Sequence, residues 1–289
     1  MHYLFFLIVS LVWGSGFYLM KLAGFAFGPI TIGASSTFGG AVFLWGFWAI
    51  NRTKWNIDKK HIIPLLFIAF MGYAFPFVVQ PFLVNRIGHG FVGMMVSLVP
   101  VLTIVVSIPI LRLLPSKVQL VGVLVGIIGI GLMVFDGLER DAKPIYLLMA
   151  VSVPLFYAIS NTWIQKSFQQ VPPIIIAALL MTISMIVLIP LAVTMEQITI
   201  NDRFTTAAVA MVLIAVLSRG LGMLLFYRII RSKGPLFAGL VTYVIPVEAL
   251  IWSWFDNEKV TITQVVTITI VLLMVGIVQR DIVRRSGSH

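Results

Sequence analysis

Apolar stretches of about 20 residues, enough to cross a hydrocarbon core as a helix, recur ten times along this 289-residue chain. Their approximate limits are 3–23, 29–50, 62–85, 91–111, 117–135, 145–166, 173–195, 205–229, 235–255 and 260–279. In lipid a backbone N–H or C=O has no water to bond, so each stretch is predicted to be a helix that satisfies itself. The chain is 60% hydrophobic and 10% charged, against roughly half and a quarter in soluble domains, which excludes a soluble fold. The linkers are short and carry nearly all the charge. Pro29, Pro115, Pro144, Pro172, Pro173 and Pro235 stand at or just before segment starts, where a missing N–H costs nothing. The expected fold is an all-α polytopic membrane protein.

Met1-His2 runs straight into an apolar segment too long for a cleaved leader. Cysteine is absent, which excludes disulfides, thiolate nucleophiles and Cys-ligated metals. The net charge of +10 is topological. Arg52, Lys54, Lys59, Lys60, Arg112, Lys117, Lys166, Arg228, Arg231, Lys233, Arg280, Arg284 and Arg285 flank the segments on one side, and Arg86, Arg140, Lys143, Arg203 and Lys259 on the other. Thirteen against five makes the first side cytoplasmic, with both termini inside. Asp136, Glu139, Asp141, Glu196, Asp202, Asp256 and Glu258 fall on the outer side. Nucleic acid is not an expected partner.

An internal repeat divides the chain. Gly88 to Phe91, Leu98-Val99-Pro100-Val101 and Gln119 recur as Gly234 to Phe237, Val244-Ile245-Pro246-Val247 and Gln264, offset by 146 residues for the first two and 145 for the glutamines. Tyr3–Lys21 and Tyr146–Lys166 are similar in spacing and composition. The expected units are 1–139 and 140–285, five segments each, with 286–289 a disordered or appended tail. Five is odd, so the two units cross the membrane in opposite senses, the plan of a secondary transporter with its site at the midplane.

Trp13-Gly14-Ser15, the Gly-x11-Pro-Val spacing in segments four and nine, and Phe255-Asp256-Asn257-Glu258 before Gln264 resemble the drug/metabolite transporter superfamily. Among its ten-helix EamA-type exporters the chain most resembles the YddG-type exporters of aromatic amino acids and methyl viologen. The resemblance covers almost the whole chain. It departs in two places. Leu113-Leu114-Pro115 stands where the family has a Glu after segment four, and no Arg lies near Ser36-Thr37.

Glu248 is the one carboxylate within an apolar segment as delimited above, two residues after Pro246. Such a charge is expensive in lipid. It serves a proton or a substrate ammonium, or else pairs with Arg219 to hold segments eight and nine together. Arg219 sits mid-segment, too deep to snorkel, and its guanidinium suits a carboxylate in two-point contact. The repeat sets it opposite Tyr73. Trp13, Ser15, Tyr18, Tyr73, Phe77, Gln80, Ser97, Tyr157, Asn161, Trp163 and Tyr243 are candidates for a cavity wall, where rings stack on a planar substrate and amides or hydroxyls orient it. For each, interhelical packing or an interfacial belt is the alternative. Trp45, Trp48, Trp55, Trp252 and Trp254 read as belt residues. Pro100 and Pro246 are candidate hinges, with static kinks as the alternative. Gly122, Gly126, Gly129 and Gly131 suggest a close-packing face, within the first half rather than between subunits.

The four histidines lie in predicted loops or termini, and no metal set, carboxylate pair or nucleophile–base set shares one depth. No catalytic residue, metal or cofactor is expected. The function expected is export of small metabolites, aromatic or hydrophobic amino acids above all, by alternating access. The alternatives are a carrier of lipophilic organic cations and a non-transporting membrane scaffold. The expected setting is a plasma membrane, bacterial inner membrane by the resemblance. The expected partners are the bilayer and a small-molecule substrate, the protein acting as a monomer or weak homodimer.

Overall fold

The computed structural model describes residues 2–52, 54–112, 115–139, 141–229, 232 and 241–286. Within these, eight helices are long and apolar enough to cross a membrane: α1 (Tyr3–Ala23), α2 (Pro29–Asn51), α3 (Lys59–Ile87), α4 (His89–Leu111), α5 (Lys117–Glu139), α6 (Pro144–Ser167), α7 (Pro173–Met195) and α8 (Phe204–Ile229). Two further helices follow, α9 (Val241–Phe255) and α10 (Ile262–Ser286). The first residues of the predicted ninth segment, the Gly234–Phe237 element of the repeat, Leu113-Leu114 and the end of the tail lie outside the described residues. Ser286 closes α10 rather than opening a tail.

Local sequence sets the boundaries. Pro29, Pro144 and Pro173 occupy first-turn positions of their helices. Arg52 and Arg112 end α2 and α4 in left-handed conformation, a cation at the negative end of each helix dipole. Gly88 separates α3 from α4 at φ +92°, and a Cβ there would meet the Glu258 carboxylate, so glycine is required both for conformation and for space. Large apolar side chains such as Leu4, Leu7, Leu11, Leu124, Ile128, Leu148 and Ile186 stay exposed along the outer faces, as a lipid-facing surface requires.

The packing follows the repeat. α2 pairs with α7, α5 with α10 and α4 with α9; α1 packs on α8 and α9, and α6 on α3 and α4. Exchanging each helix for the one five places on leaves this set unchanged. The α5–α10 pair carries the relation down to atoms. At one end Ser116 Oγ donates to Asp281 (2.6 Å), and Ser116 and Gln119 cap the start of α5 reciprocally. At the other, Thr261 and Gln264 cap the start of α10 in the same way and both donate to Asp136, Gln264 at 2.6 Å. Ser116 and Thr261, Gln119 and Gln264, and Asp136 and Asp281 are each 145 residues apart. These are capping boxes in which the far end of the partner helix supplies the carboxylate. Asp136 therefore lies inside a helix and is buried at 1% exposure, not in the outer loop that the hydropathy limits imply.

The glycine face of α5 is also placed differently from expectation. Gly122 and Gly129 face Val278 and Val271 of α10, Gly126 faces Val101 of α4, and Gly131 meets nothing. The close approach is mainly between the halves rather than within the first.

Candidate functional site

Two helices lose α-helical register at repeat-related places. Phe70–Ala74 in α3 and Ile214–Gly222 in α8 are π-helical. One carries Tyr73 and the other Arg219. Such bulges put a side chain where the α-helical path would not, and they concentrate at functional sites. Close approach fixes both. Gly72 leaves room for Ser160 of α6, and Gly40 in α2 leaves room for the base of Arg219. The Trp13 indole N–H donates to the Ser218 carbonyl at 3.0 Å, pinning the turn next to Arg219.

Arg219 lies over the Phe77 ring, 3.8 Å from its centroid, a cation–π contact. Tyr73 packs on the same ring at 5.5 Å. Tyr157 donates to Gln80 Oε1 at 3.2 Å. Phe77 and Gln80 are 3% and 2% exposed. The buried Arg219 Nε donates no hydrogen bond. Among the described residues no carboxylate forms an ion pair with Arg219. The geometry thus brings Tyr73, Phe77, Gln80, Tyr157 and Arg219 together from α3, α6 and α8, with Trp13 bracing them from α1.

Other candidates lie elsewhere. Trp163 packs on Phe67 at 4.9 Å, at the edge of the apolar cluster that holds Tyr73 and Phe77. Asn161 is exposed on α6. The Ser97 hydroxyl is buried and donates to Met94 within its own helix at 2.8 Å. Tyr243 and Pro100 line a second space of about 260 Å³ between α4, α5, α9 and α10, walled by Val99, Thr103, Ile104 and Val275. Pro246 is buried in α9. Glu248, 7% exposed, lies against Gly14 of α1, and its Oε2 accepts no hydrogen bond. The pairing with Arg219 does not form. The turn Trp13-Gly14-Ser15 stands between the two, Trp13 reaching the Arg219 segment and Gly14 facing Glu248. Replacing Gly14 by alanine puts a methyl group into the Glu248 carboxylate. It is expected to cost about 1–3 kcal/mol by overpacking, read as a lower melting temperature of the detergent-solubilised protein.

A third cluster was not legible in advance. At the end of the bundle away from the N terminus, Lys21 of α1 forms an ion pair with Asp256, just past α9. His89 Nε2 lies 3.0 Å from Asp256 and 3.3 Å from Glu258. Glu258 also accepts from Gly90 N and Ser253 Oγ, both at 2.9 Å. His89 is not a loop histidine: it opens α4 and its side chain is fully buried. Trp252 is not a belt residue either. It donates to Ser15 Oγ at 3.0 Å and stacks on Tyr18 at 4.8 Å. The loss of water around Asp256 opposes its ionisation, but the hydrogen bonds and charges of Lys21 and His89 outweigh that and hold its carboxyl below the ordinary aspartate value. The neighbouring corner is closed by Glu196, which accepts from the backbone N–H groups of Ile30 and Thr31 at 2.9 and 2.7 Å, a carboxylate on the start of α2. The signal for this cluster was the family-like Phe-Asp-Asn-Glu end of segment nine; its partners, over 160 residues away in sequence, were not.

The EamA-like transporter family profile matches the chain twice, at residues 1–135 and 144–279. YoaV of Bacillus subtilis (strain 168), described as an uncharacterized transporter, is 22% identical over 259 residues, 88% of each chain. A protein of known crystal structure, 14% identical, superposes with a TM-score of 0.65 over 95% of this chain and 94% of its own, a likeness of fold alone. With both matches together spanning nearly its full length, the chain belongs to the EamA-like transporter family.

Proposed function

We propose that this secondary transporter exports aromatic and other hydrophobic amino acids. The observation that carries this reading is Arg219: a guanidinium on the Phe77 ring, which Tyr73 also contacts, with a buried Nε that donates no hydrogen bond. An uncompensated buried cation is costly, and an amino-acid carboxylate offsets that cost by two-point hydrogen bonding. Phe77, Tyr73 and Tyr157 then supply the ring surface for an apolar side chain, and Gln80 orients Tyr157. A cationic substrate would be repelled here.

In this reading α9 and α10 also span the bilayer. The ten spans then form two inverted five-helix repeats, 1–139 and 140–285, with both termini cytoplasmic in a plasma membrane. The double profile match, the exchange-symmetric packing and the paired capping boxes support it. The Lys21–Asp256–His89–Glu258 cluster then latches the extracellular gate. At the 146-residue offset of these two segments the positions of Asp256 and Glu258 fall on Ile110 and Arg112, so no equivalent acids close the cytoplasmic gate. Pro100 and Pro246 line or adjoin the cleft between α4 and α9 about which the gates bend, as alternating access requires. The protein works as a monomer or weak homodimer.

The test is counterflow in proteoliposomes. Vesicles loaded with unlabelled L-phenylalanine are expected to accumulate external labelled L-phenylalanine. Accumulation no greater than in protein-free vesicles, for L-phenylalanine and L-tryptophan alike, would overturn the reading.

A further inference from the structure

The turn that joins α9 to α10 carries a carboxylate engaged on one side only. Glu258 Oε2 accepts from Gly90 N and Ser253 Oγ, both at 2.9 Å, and lies 3.3 Å from His89 Nε2. Among the described residues nothing donates to Oε1, and no Lys or Arg forms an ion pair with Glu258. The side chain is 17% exposed. It lines a space of about 410 Å³ at this end of the bundle, together with Leu250, Trp254, Asn257, Val260 and Val265.

The surroundings of that space select its occupant. One wall runs on into the lipid-facing surface: Trp254 is 74% exposed, and Val265, Phe255 and Ile262 are exposed as well. An indole so exposed at the end of a spanning helix stands at headgroup level. The other wall is polar. Glu258 brings a negative charge, the C-terminal end of the α9 dipole adds to it, and Asn257 contributes an amide. Lys259, exposed in the same turn, brings a positive charge beside it. An ammonium next to a phosphate, attached to an apolar chain, matches this sequence of negative, positive and apolar surface. A free amino acid matches the charges but has no chain to cover Leu250 and Val265 where they meet the bilayer.

We propose that this space binds the headgroup of an aminophospholipid. Its primary ammonium donates to Glu258 Oε1 and to the Asn257 side-chain carbonyl, with the Trp254 ring beside it. Its phosphate faces Lys259, and its acyl chain lies over Leu250 and Val265. The other oxygen of the same carboxylate holds α4 through Gly90, so the bound headgroup stabilises the latched state. The link to the latch, and the leaflet, rest on the gate and topology proposed above. The lipid site does not.

The test is native mass spectrometry of the full-length protein from micelles holding equimolar phosphatidylethanolamine, its N-methyl and N,N-dimethyl homologues and phosphatidylcholine, all with the same acyl chains. Each methylation removes an N–H donor and keeps the positive charge. Retention by the wild type is expected to fall along the series, by roughly 10- to 150-fold between its ends, the effect of hydrogen bonding to a charged group. E258Q is expected to lose the preference. Equal retention of the four lipids by the wild type would overturn the site without reference to any variant. A preference that persists in E258Q would overturn Glu258 as its seat. Millimolar O-phosphoethanolamine or L-phenylalanine is expected to leave the bound phosphatidylethanolamine in place. Displacement by either would assign the site to a free ammonium compound and overturn the lipid. In proteoliposomes, a membrane-impermeant maleimide added outside is expected to label S97C more slowly in phosphatidylethanolamine than in phosphatidylcholine. Equal rates would overturn the link to the latch and leave the lipid site standing.

Discussion

Replacing Arg219 by alanine abolishes L-phenylalanine counterflow, and lysine at that position recovers little of it. The substrate carboxylate would lose a desolvated, charge-assisted contact, an effect of about 2–5 kcal/mol, or roughly 30- to 4000-fold in apparent affinity. Lysine keeps the charge but presents one point donor where the guanidinium presents a planar fork. It also gives up the broad contact over Phe77 seen at 3.8 Å. The melting temperature is not expected to fall in R219A, because removing a buried charge that lacks an ion partner relieves a cost rather than breaking a pair. A variant that transports normally, or one that fails only because it unfolds, would count against Arg219 as the carboxylate anchor.

Substituting Asp256 by asparagine opens the extracellular side. The carboxylate joins Lys21 of α1 to His89 of α4. Its loss leaves the buried imidazole and the ammonium without their shared anion, at a cost of about 1–3 kcal/mol in the latched state. That is a roughly 5- to 150-fold shift toward the open state. The native chain contains no cysteine, so one introduced at Ser97 reports access without background. A membrane-impermeant maleimide added outside is expected to label S97C/D256N faster than S97C alone by that factor. Equal rates would contradict the latch. The pH dependence has a definite sign. The Asp256 carboxyl is held below its ordinary value of 3.8. Its stabilisation of the latched state is therefore complete above that value and is lost only as the pH falls through the lower one. The latch contribution of Asp256 is thus constant over the neutral and mildly acid range.

Much of the fold was legible because the bilayer leaves a chain few options. Segment positions follow from hydropathy, and the halves from the Gly, Pro and Gln spacing. Segment ends were less legible. Asp136, His89 and Asp256 fall where hydropathy drops, so they read as loop groups. In the structure the first two are buried in helices and Asp256 adjoins one, held by partners from the other half. For Asp136 a signal existed: at an offset of 145 the repeat pairs Ser116 with Thr261 and Asp136 with Asp281 as well as the glutamines. The π-helical segments had none, since no residue pattern marks a register change. Depth placed Arg219 and Glu248 at one level but could not show that a turn of α1 stands between them.

The central claim, a carboxylate held at Arg219, is tested most directly by competition in counterflow. Labelled L-phenylalanine uptake by the reconstituted wild-type protein is measured against unlabelled L-phenylalanine, L-phenylalaninamide and methyl viologen. The account predicts strong competition by the amino acid and little by the amide, which keeps the ring and the ammonium but lacks the carboxylate, or by the dication. Competition by the amide equal to that of the amino acid, or transport of methyl viologen without transport of any amino acid, would contradict it.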